Sequence, residues 1–268
     1  MKLGLDGRSC VVTGASRGIG LATARMLCAE GASVVLAARG AEALEAAAAQ
    51  CEAAAAPGVR VEHIALDVTA ADAGERLVMS CVERLGEIDV AVANAGTSSV
   101  RPIDELTDDD WVEQWELNVM APMRLMRAAA PRMAERGFGR IVNVSSSSGK
   151  RPSLTNAAYS VAKAAQLSLS RTYADAYAGR GVLVNAVAPG PVGTTLWLGE
   201  GGLADQAAAA QGISREEALA SAQAKPPLGR FGTDDEIASV IVFLCSERAA
   251  NVSGAAWSVD GGVVQTIV

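Results

Sequence analysis

Short apolar runs rich in β-branched residues alternate along this chain with longer segments of helical periodicity. This alternation is typical of βαβ units, whose strands form a parallel sheet. The predicted strands are residues 8–13, 33–38, 59–66, 88–93, 139–145, 182–188 and 255–259. The predicted helices are residues 19–30, 41–55, 72–85, 108–134, 157–178 and 234–246. The pattern therefore predicts one α/β domain over residues 1–268, with a doubly wound, seven-stranded parallel sheet and helices on both faces.

Composition and charge exclude several classes of protein. Half of the 268 residues are hydrophobic, which allows a sizeable core and excludes a disordered or low-complexity chain. The formal net charge of −7, without any Lys/Arg run, leaves no basic surface for nucleic acid or an anionic membrane. The sequence shows neither an apolar membrane span nor the apolar segment of a signal peptide, so we expect a cytoplasmic protein.

Cysteine and histidine usage limits the possible chemistry. The five cysteines are scattered without any C-x-x-C pair, which favours buried free thiols over disulfides or a thiolate zinc site. They are Cys10, Cys28, Cys51, Cys81 and Cys245. The single histidine, His63, lies in an alternating strand pattern with no nucleophile elbow nearby, which argues against a serine hydrolase. We expect no metal site, because no cluster of ligand residues is present.

A long connection separates the sixth predicted strand from the last helix. Residues 191–230 exceed the usual loop length, and connections of this length are commonly lids or binding loops. Four glycines could act as hinges: Gly193, Gly199, Gly201 and Gly202. The motif Ser214-x-x-Glu217 is a capping box that predicts a short helix within this segment. We therefore expect a substrate lid at about residues 191–230.

A glycine-rich turn joins the first strand to the first helix. It reads Thr13-Gly14-Ala15-Ser16-Arg17-Gly18-Ile19-Gly20. Glycines at such a turn let backbone N–H groups approach a pyrophosphate at the positive end of a helix. The spacing is G-x-x-x-G-x-G, and the same turn could serve only tight packing. Nucleotide binding is the interpretation that its context favours.

The end of the second strand bears on which nucleotide would bind. An acid about 20 residues beyond the glycines would accept hydrogen bonds from an adenosine ribose 2′-OH. Ala38 stands at that position and Arg39 follows it. Together with Arg17 in the glycine turn, Arg39 could face a 2′-phosphate, which favours NADP(H) over NAD(H). The alternative is that both arginines are simply exposed to solvent.

Tyr159 and Lys163 are four residues apart in a predicted helix and therefore share one face. Lowering a phenol pKa from about 10 by about 2 to 3 units needs roughly 3 to 4 kcal/mol. An ammonium at about 4 Å, at an effective dielectric constant of about 20, supplies roughly 4 kcal/mol. A tyrosine with such a pKa could exchange a proton with a carbonyl or alcohol oxygen. The same spacing is also commonplace in helices without any function.

These motifs occur in order with Asn94-Ala95-Gly96 and with a serine thirteen residues before Tyr159. From about residue 5 to residue 262 the chain resembles the short-chain dehydrogenase/reductase family, which has a Rossmann-type fold. The resemblance implies that Tyr159 is the general acid/base and that Lys163 lowers its pKa and holds the nicotinamide ribose. It places the serine that binds the substrate oxygen at Ser146, although neighbouring serines leave an error of one position open. The water-anchoring asparagine of the proton relay matches Asn118.

The resemblance also implies the cofactor contacts. The residues expected at the phosphates are Gly14, Arg17, Gly18, Ile19 and Gly20. Asp67 and Val68 are expected at the adenine, and Asn94 and Gly96 at the adenosine ribose. Residues of a turn after the sixth strand are expected beside the nicotinamide: Pro189, Gly190, Val192 and Thr194. Similar enzymes pair their long helices in a dimer and complete a tetramer with a terminal segment, so we expect a homotetramer.

The function implied by the resemblance is NADP-dependent interconversion of a ketone and a secondary alcohol. Two alternatives stay open: an NAD-dependent secondary-alcohol dehydrogenase, and an NADP-binding sensor or scaffold without turnover. The general similarity is to 3-oxoacyl-carrier-protein reductases and related ketone reductases. Arg180 matches one basic position of carrier-protein docking, whereas Gly137 replaces another. Apolar residues in the lid favour an apolar or aromatic ketone, although the same residues could serve only to pack the lid against the sheet: Leu196, Trp197 and Leu198.

Overall fold

The structure, a computed structural model, describes residues 2–266. Its strands are β1 (Ser9–Thr13), β2 (Ser33–Ala38), β3 (Val61–Ala65), β4 (Val90–Ala93), β5 (Gly139–Val144), β6 (Val182–Pro189) and β7 (Ala256–Val259). All pairs are parallel, and the strand order is β3-β2-β1-β4-β5-β6-β7. This arrangement confirms the predicted seven-stranded parallel sheet. Strands β2 and β3 follow β1 on one side of the sheet, and β4 to β7 lie on its other side. The strand order reverses between β1 and β4, so a crevice forms between the carboxyl ends of these two strands.

Helices cover both faces of the sheet. They are α1 (Gly18–Ala29), α2 (Ala41–Ala54), α3 (Ala73–Leu85), α4 (Asp108–Trp115), α5 (Ala121–Glu135), α6 (Ala157–Tyr177), α7 (Thr195–Leu198), α8 (Leu203–Gln211), α9 (Arg215–Ala224) and α10 (Asp234–Cys245). Within residues 2–266, none of the helices has the length and apolar character needed to cross a membrane.

Two apolar clusters form the core, one on each side of the sheet. Side chains of α1, α2 and α10 pack on one face, and those of α3, α5 and α6 pack on the other. A strand that is buried on both faces needs an unbroken apolar sequence, as in Val34-Val35-Leu36. All five cysteines are free and buried, as predicted. His63 lies within β3, also as predicted.

The helix predicted over residues 108–134 is interrupted. A π-helical turn, Glu116–Met120, joins α4 to α5. The N–H of Ala121 bonds the carbonyl of Glu116, five residues back, and Pro122 contributes no N–H at all. The prediction of one regular helix was therefore wrong at this turn, which carries Asn118.

The segment 191–230 contains more regular structure than the sequence predicts. The capping box at Ser214 is present, because its hydroxyl accepts from the Glu217 N–H at the start of α9. Helices α7 and α8 begin without any side-chain cap, so capping chemistry gives no sign of them. After β7, Asp260 accepts hydrogen bonds from the N–H groups of Gly262 and Val264. Leu228, at the end of the segment, donates its N–H to the Gly261 carbonyl at 3.3 Å.

Candidate active site

The residues singled out in the sequence converge at the carboxyl ends of the strands. The glycine turn follows β1, Asn94 follows β4, Ser146 follows β5, and Gly190 follows β6. Parallel strands all present these ends at the same edge, which is where open α/β sheets bind ligands. The catalytic candidates and the glycine turn therefore lie at one crevice, while Arg39 and Asp67 lie just after β2 and β3, at the same edge of the sheet.

The glycine turn has a backbone that only glycine readily adopts, and it packs closely against the residues after β4. Gly14 and Gly18 have φ angles of +64° and +55°, which L side chains rarely adopt. A Cβ at Gly14 would lie 2.9 Å from the amide nitrogen of Asn94. That amide donates to the carbonyls of Thr13 at 2.9 Å and Gly14 at 3.2 Å, which ties β4 to the turn. Helix α1 has no acidic residue in its first turn, so its positive end is available to an anion.

Charged groups follow β1, β2 and β3 at this edge of the sheet. Arg17 and Arg39 are both exposed, and Arg17 is the residue immediately before α1. Neither guanidinium forms an ion pair within residues 2–266. Hydrogen bonds from Thr69, and to a smaller extent the charge of Arg39, lower the pKa of Asp67, so this carboxylate stays ionised. Val68, beside it, is partly buried.

The turn after β6 reaches back to the glycine turn. Pro189 ends β6, and the N–H of Gly190 bonds the Val259 carbonyl at 3.2 Å. Val192 is buried and pairs with Gly232. The methyl carbon of Thr194 lies 3.3 Å from where a Cβ on Gly18 would stand. Thr194, near the start of the long segment, therefore lies against the first residue of α1, and the next residue, Ile19, is partly buried.

Two adjacent serines after β5 face different partners. The hydroxyl of Ser145 donates to the Lys163 carbonyl at 3.0 Å, inside α6. The hydroxyl of Ser146 is hydrogen-bonded with the Tyr159 phenol and accepts from the Ser148 N–H at 3.1 Å. The structure thus brings Ser146, rather than Ser145, to the tyrosine.

Tyr159 and Lys163 lie one turn apart on α6, with the Lys163 ammonium 5.7 Å from the centre of the tyrosine ring. Burial lowers the pKa of Lys163 to about 7. Burial also raises the pKa of Tyr159, although the hydrogen bond with Ser146 acts in the opposite direction. This result is opposite to the lowered phenol pKa that the sequence predicts. The reason is that desolvation penalises the tyrosinate and the ammonium alike.

Asn118 points its amide into the same site. Its nitrogen donates to the Gln114 carbonyl at 3.1 Å and to the Gln114 side-chain oxygen at 3.0 Å. Its own oxygen, Oδ1, is buried without a hydrogen-bond partner in the described chain. A Cβ on Gly96 would lie 3.1 Å from this oxygen and 3.4 Å from the Lys163 nitrogen. An unsatisfied buried acceptor of this kind fits an ordered water or a bound ligand.

Two buried glutamines that were not predicted from the sequence hold these groups. Gln114 orients Asn118, and Gln166 accepts from the Lys163 ammonium at 3.0 Å. Both are at most 5% exposed. A signal was present, since each lies three or four residues from a predicted site residue on the same helix, at positions where apolar residues would be expected.

Comparison with known proteins identifies a matching family and similar enzymes. Residues 8–200 match the family described as short chain dehydrogenase. The 3-oxoacyl-[acyl-carrier-protein] reductase of Thermotoga maritima is 36% identical over 262 residues, which cover 97% of this chain and 99% of the relative.

Solved structures of high similarity include two reductases. The crystal structure of L-sorbose reductase from Gluconobacter frateurii, complexed with NADPH and L-sorbose, is 37% identical with a TM-score of 0.91 and covers 100% of both chains. A variant of actinorhodin polyketide ketoreductase with NADPH is 34% identical with a TM-score of 0.89, and covers 96% of this chain and 97% of that chain.

Proposed function

This chain belongs to the short-chain dehydrogenase family and is an oxidoreductase of alcohols and ketones, and from that premise we propose that it interconverts a ketone and a secondary alcohol with NADP(H). The observation that carries the proposal is the grouping of three side chains at one crevice. Ser146 meets the Tyr159 phenol, and the buried Lys163 lies one helical turn away. The glycine turn stands across the crevice from them.

The residues around the crevice fit a dinucleotide. The glycine turn is held closely against Asn94 and Ala95, and the positive end of α1, which has no acidic residue in its first turn, would face the pyrophosphate. Arg17 and Arg39 would hold a 2′-phosphate, because they are exposed cations without ion-pair partners in residues 2–266. Asp67 with Val68 would contact the adenine, and Asn94 with Gly96 the adenosine ribose. Pro189, Gly190, Val192 and Thr194 would line the nicotinamide side. Relatives whose structures contain NADPH support this choice of cofactor.

The chemistry divides between the cofactor and this chain. When bound, NADPH supplies the hydride that reduces the carbonyl carbon. Tyr159 donates its phenolic proton to the carbonyl oxygen, and Ser146 hydrogen-bonds the same oxygen and holds it in place. Lys163, in its ammonium form, stabilises the tyrosinate that remains. Asn118 Oδ1, buried and unpartnered in the described chain, would anchor a water through which Tyr159 regains a proton.

For the substrate, we propose a 3-oxoacyl compound or another apolar or aromatic ketone. Leu196 and Leu198 of α7 are 36% and 43% exposed beside the crevice, which supports an apolar substrate. Trp197 packs instead on Phe231, with ring centres 5.4 Å apart, so it stabilises the lid. The relatives are named for substrates as different as 3-oxoacyl thioesters and L-sorbose. A panel of ketones, ketoses and acyl thioesters, with and without a carrier protein, would identify the class.

Tyr159→Phe tests the mechanism. We expect turnover to fall by about 10² to 10⁴-fold, because the proton donor is lost, while NADPH binding is retained. The measurement is loss of reduced-nicotinamide absorbance with the best ketone of the panel. Tyr173→Phe is the matched control, since Tyr173 lies on the same helix and stacks on Tyr177 at 5.9 Å. Turnover of the Tyr159→Phe enzyme above about a hundredth of wild type would refute the assignment.

We also propose that the enzyme is a homotetramer. Three apolar side chains on α4 and α6 are exposed: Val112 (59%), Trp115 (44%) and Val161 (47%). Trp257 of the edge strand β7 is 37% exposed. Covering both faces with copies of the chain would remove this surface from water. Sedimentation equilibrium should give four times the chain mass, and a monomer at micromolar concentration would contradict the proposal.

A further inference from the structure

Lys163 is held by two acceptors within the protein. Its ammonium donates to the Val144 carbonyl at 2.8 Å and to the side-chain oxygen of Gln166 at 3.0 Å. Lys163 is 2% exposed and Gln166 is 1% exposed. An ammonium has three donors. Two are therefore committed to acceptors in the described chain, and the third is available to a ligand in the crevice.

The surroundings of this ammonium contain no compensating charge within residues 2–266. Its own helix contributes Tyr159, the one titratable group facing it among these residues. The packed elements contribute uncharged groups: the Val144 carbonyl of β5, Ser145 after it, Gly96 after β4 and Asn118 of the π-helical turn. No carboxylate of the described chain forms an ion pair with Lys163. Neutral hydrogen-bond acceptors alone offset the loss of water around the charge.

The two acceptors of the Lys163 ammonium differ in whether a substitution can remove them. The Val144 carbonyl belongs to the backbone of a sheet strand and is present whatever side chain occupies that position. Gln166 contributes a side chain, and its residue type decides whether the second acceptor exists. We propose that Gln166 is a positioning residue that keeps Lys163 protonated and directed at the crevice.

This inference deepens the proposed function and rests on it for the role of Lys163 in turnover. The acceptor stabilises the ammonium but not the neutral amine, so its removal lowers the pKa of Lys163 further. Hydrogen bonds to charged groups are worth enough to move that pKa by about 1 to 2 units, a ten- to hundredfold change in the protonation equilibrium. A carboxylate at the same position would move it the opposite way.

The test measures the pKa of Lys163 directly. The chain contains four lysines, so protein labelled with ¹³C at lysine Cε gives a simple spectrum. The resonance that is missing from the spectrum of Lys163→Met belongs to Lys163. In Gln166→Met, which keeps side-chain length without the acceptor, we expect the Lys163 resonance to titrate about 1 to 2 units lower than in wild type. In Gln166→Glu we expect it to titrate higher. The alkaline limb of ketone reduction should move in the same two directions.

Ser170→Ala is the matched control. Ser170 lies one turn further along α6, is 2% exposed, and accepts a hydrogen bond from Asn143 rather than from Lys163. Its loss should leave the Lys163 titration unchanged. An unaltered titration in Gln166→Met would overturn the inference, and if that variant does not fold, the absence of an upward shift in Gln166→Glu would do so. Because the resonance titrates without substrate, failure of this inference is distinguishable from failure of the proposed reaction.

Discussion

Replacing Lys163 by methionine should change the stability of the folded protein by an amount that depends on pH. Burial lowers the pKa of Lys163 from 10.5 to about 7. At about 1.4 kcal/mol per pKa unit, keeping the ammonium inside the fold at low pH costs roughly 5 kcal/mol. Methionine has a similar shape and carries no charge, so the variant avoids this cost, but it leaves the Val144 carbonyl and the Gln166 oxygen without their donor, a loss that does not vary with pH in this range.

The sign of the pH dependence follows from proton binding. Between the folded pKa of about 7 and the unfolded value of 10.5, the unfolded wild-type chain binds more protons at Lys163 than the folded one does. Wild-type stability therefore rises with pH in this window, relative to the variant, which cannot titrate there. The free energy of unfolding of Lys163→Met, relative to wild type, should be highest below about pH 7 and should fall by about 2 kcal/mol between about pH 7 and pH 9.

Urea unfolding of the two proteins at a series of pH values measures this difference, at one fixed protein concentration and without cofactor. Subtracting the two curves removes titrations that the proteins share. Lys225→Met, at an exposed lysine, is the control and should change the free energy of unfolding by less than about 0.5 kcal/mol. A stability difference that stays constant from about pH 6 to pH 9 would show that Lys163 is not a buried, titrating ammonium.

Three other substitutions test the crevice. Arg39→Asp should raise the Kd for NADPH about tenfold or more and lower that for NADH, as fluorescence titration of the reduced cofactors would show; unchanged preference would mean that Arg39 does not meet the 2′-phosphate. Gly20→Ala would place a methyl group on a carbonyl of the glycine turn, so thermal unfolding should occur at lower temperature and NADPH binding should be lost, whereas Gly179→Ala has open space and should behave as wild type. Gln206→Ala removes the acceptor that α8 offers to the Val100 N–H at 2.9 Å, so limited proteolysis should cleave α8 faster; an equal rate would show that this bond does not hold the lid.

The strands could be predicted because burial on both faces demands apolar, β-branched runs. Val34-Val35-Leu36 in β2 is an example, and periodicity alone places it. The π-helical turn at residues 116–120 could not be predicted in this way. It adds one residue to a turn without altering the apolar pattern, and Pro122 was the sole local sign of it. Such turns are frequent at functional sites, and this one carries Asn118.

The positions of the site residues could be predicted from motif spacing, whereas pKa values that depend on burial could not. The spacing of Tyr159 and Lys163 places both on one helix face, and the structure agrees. Burial, however, depends on elements distant in sequence, so the sequence alone gave the wrong direction for the pKa of Tyr159. The two glutamines were missed for the same reason: their importance comes from having no water around them.

The contact between Leu228 and Gly261 bears on how the protein should be handled in the laboratory. The end of segment 191–230 rests on the residues after β7, and Gly262 has the Pro227 ring within 2.9 Å of its Cβ position. Purification tags, fluorescent fusions or surface immobilisation attached just beyond Gly262 would therefore lie close to the segment that we propose as the substrate lid. Attaching them ahead of β1, at the opposite edge of the sheet, leaves the crevice undisturbed.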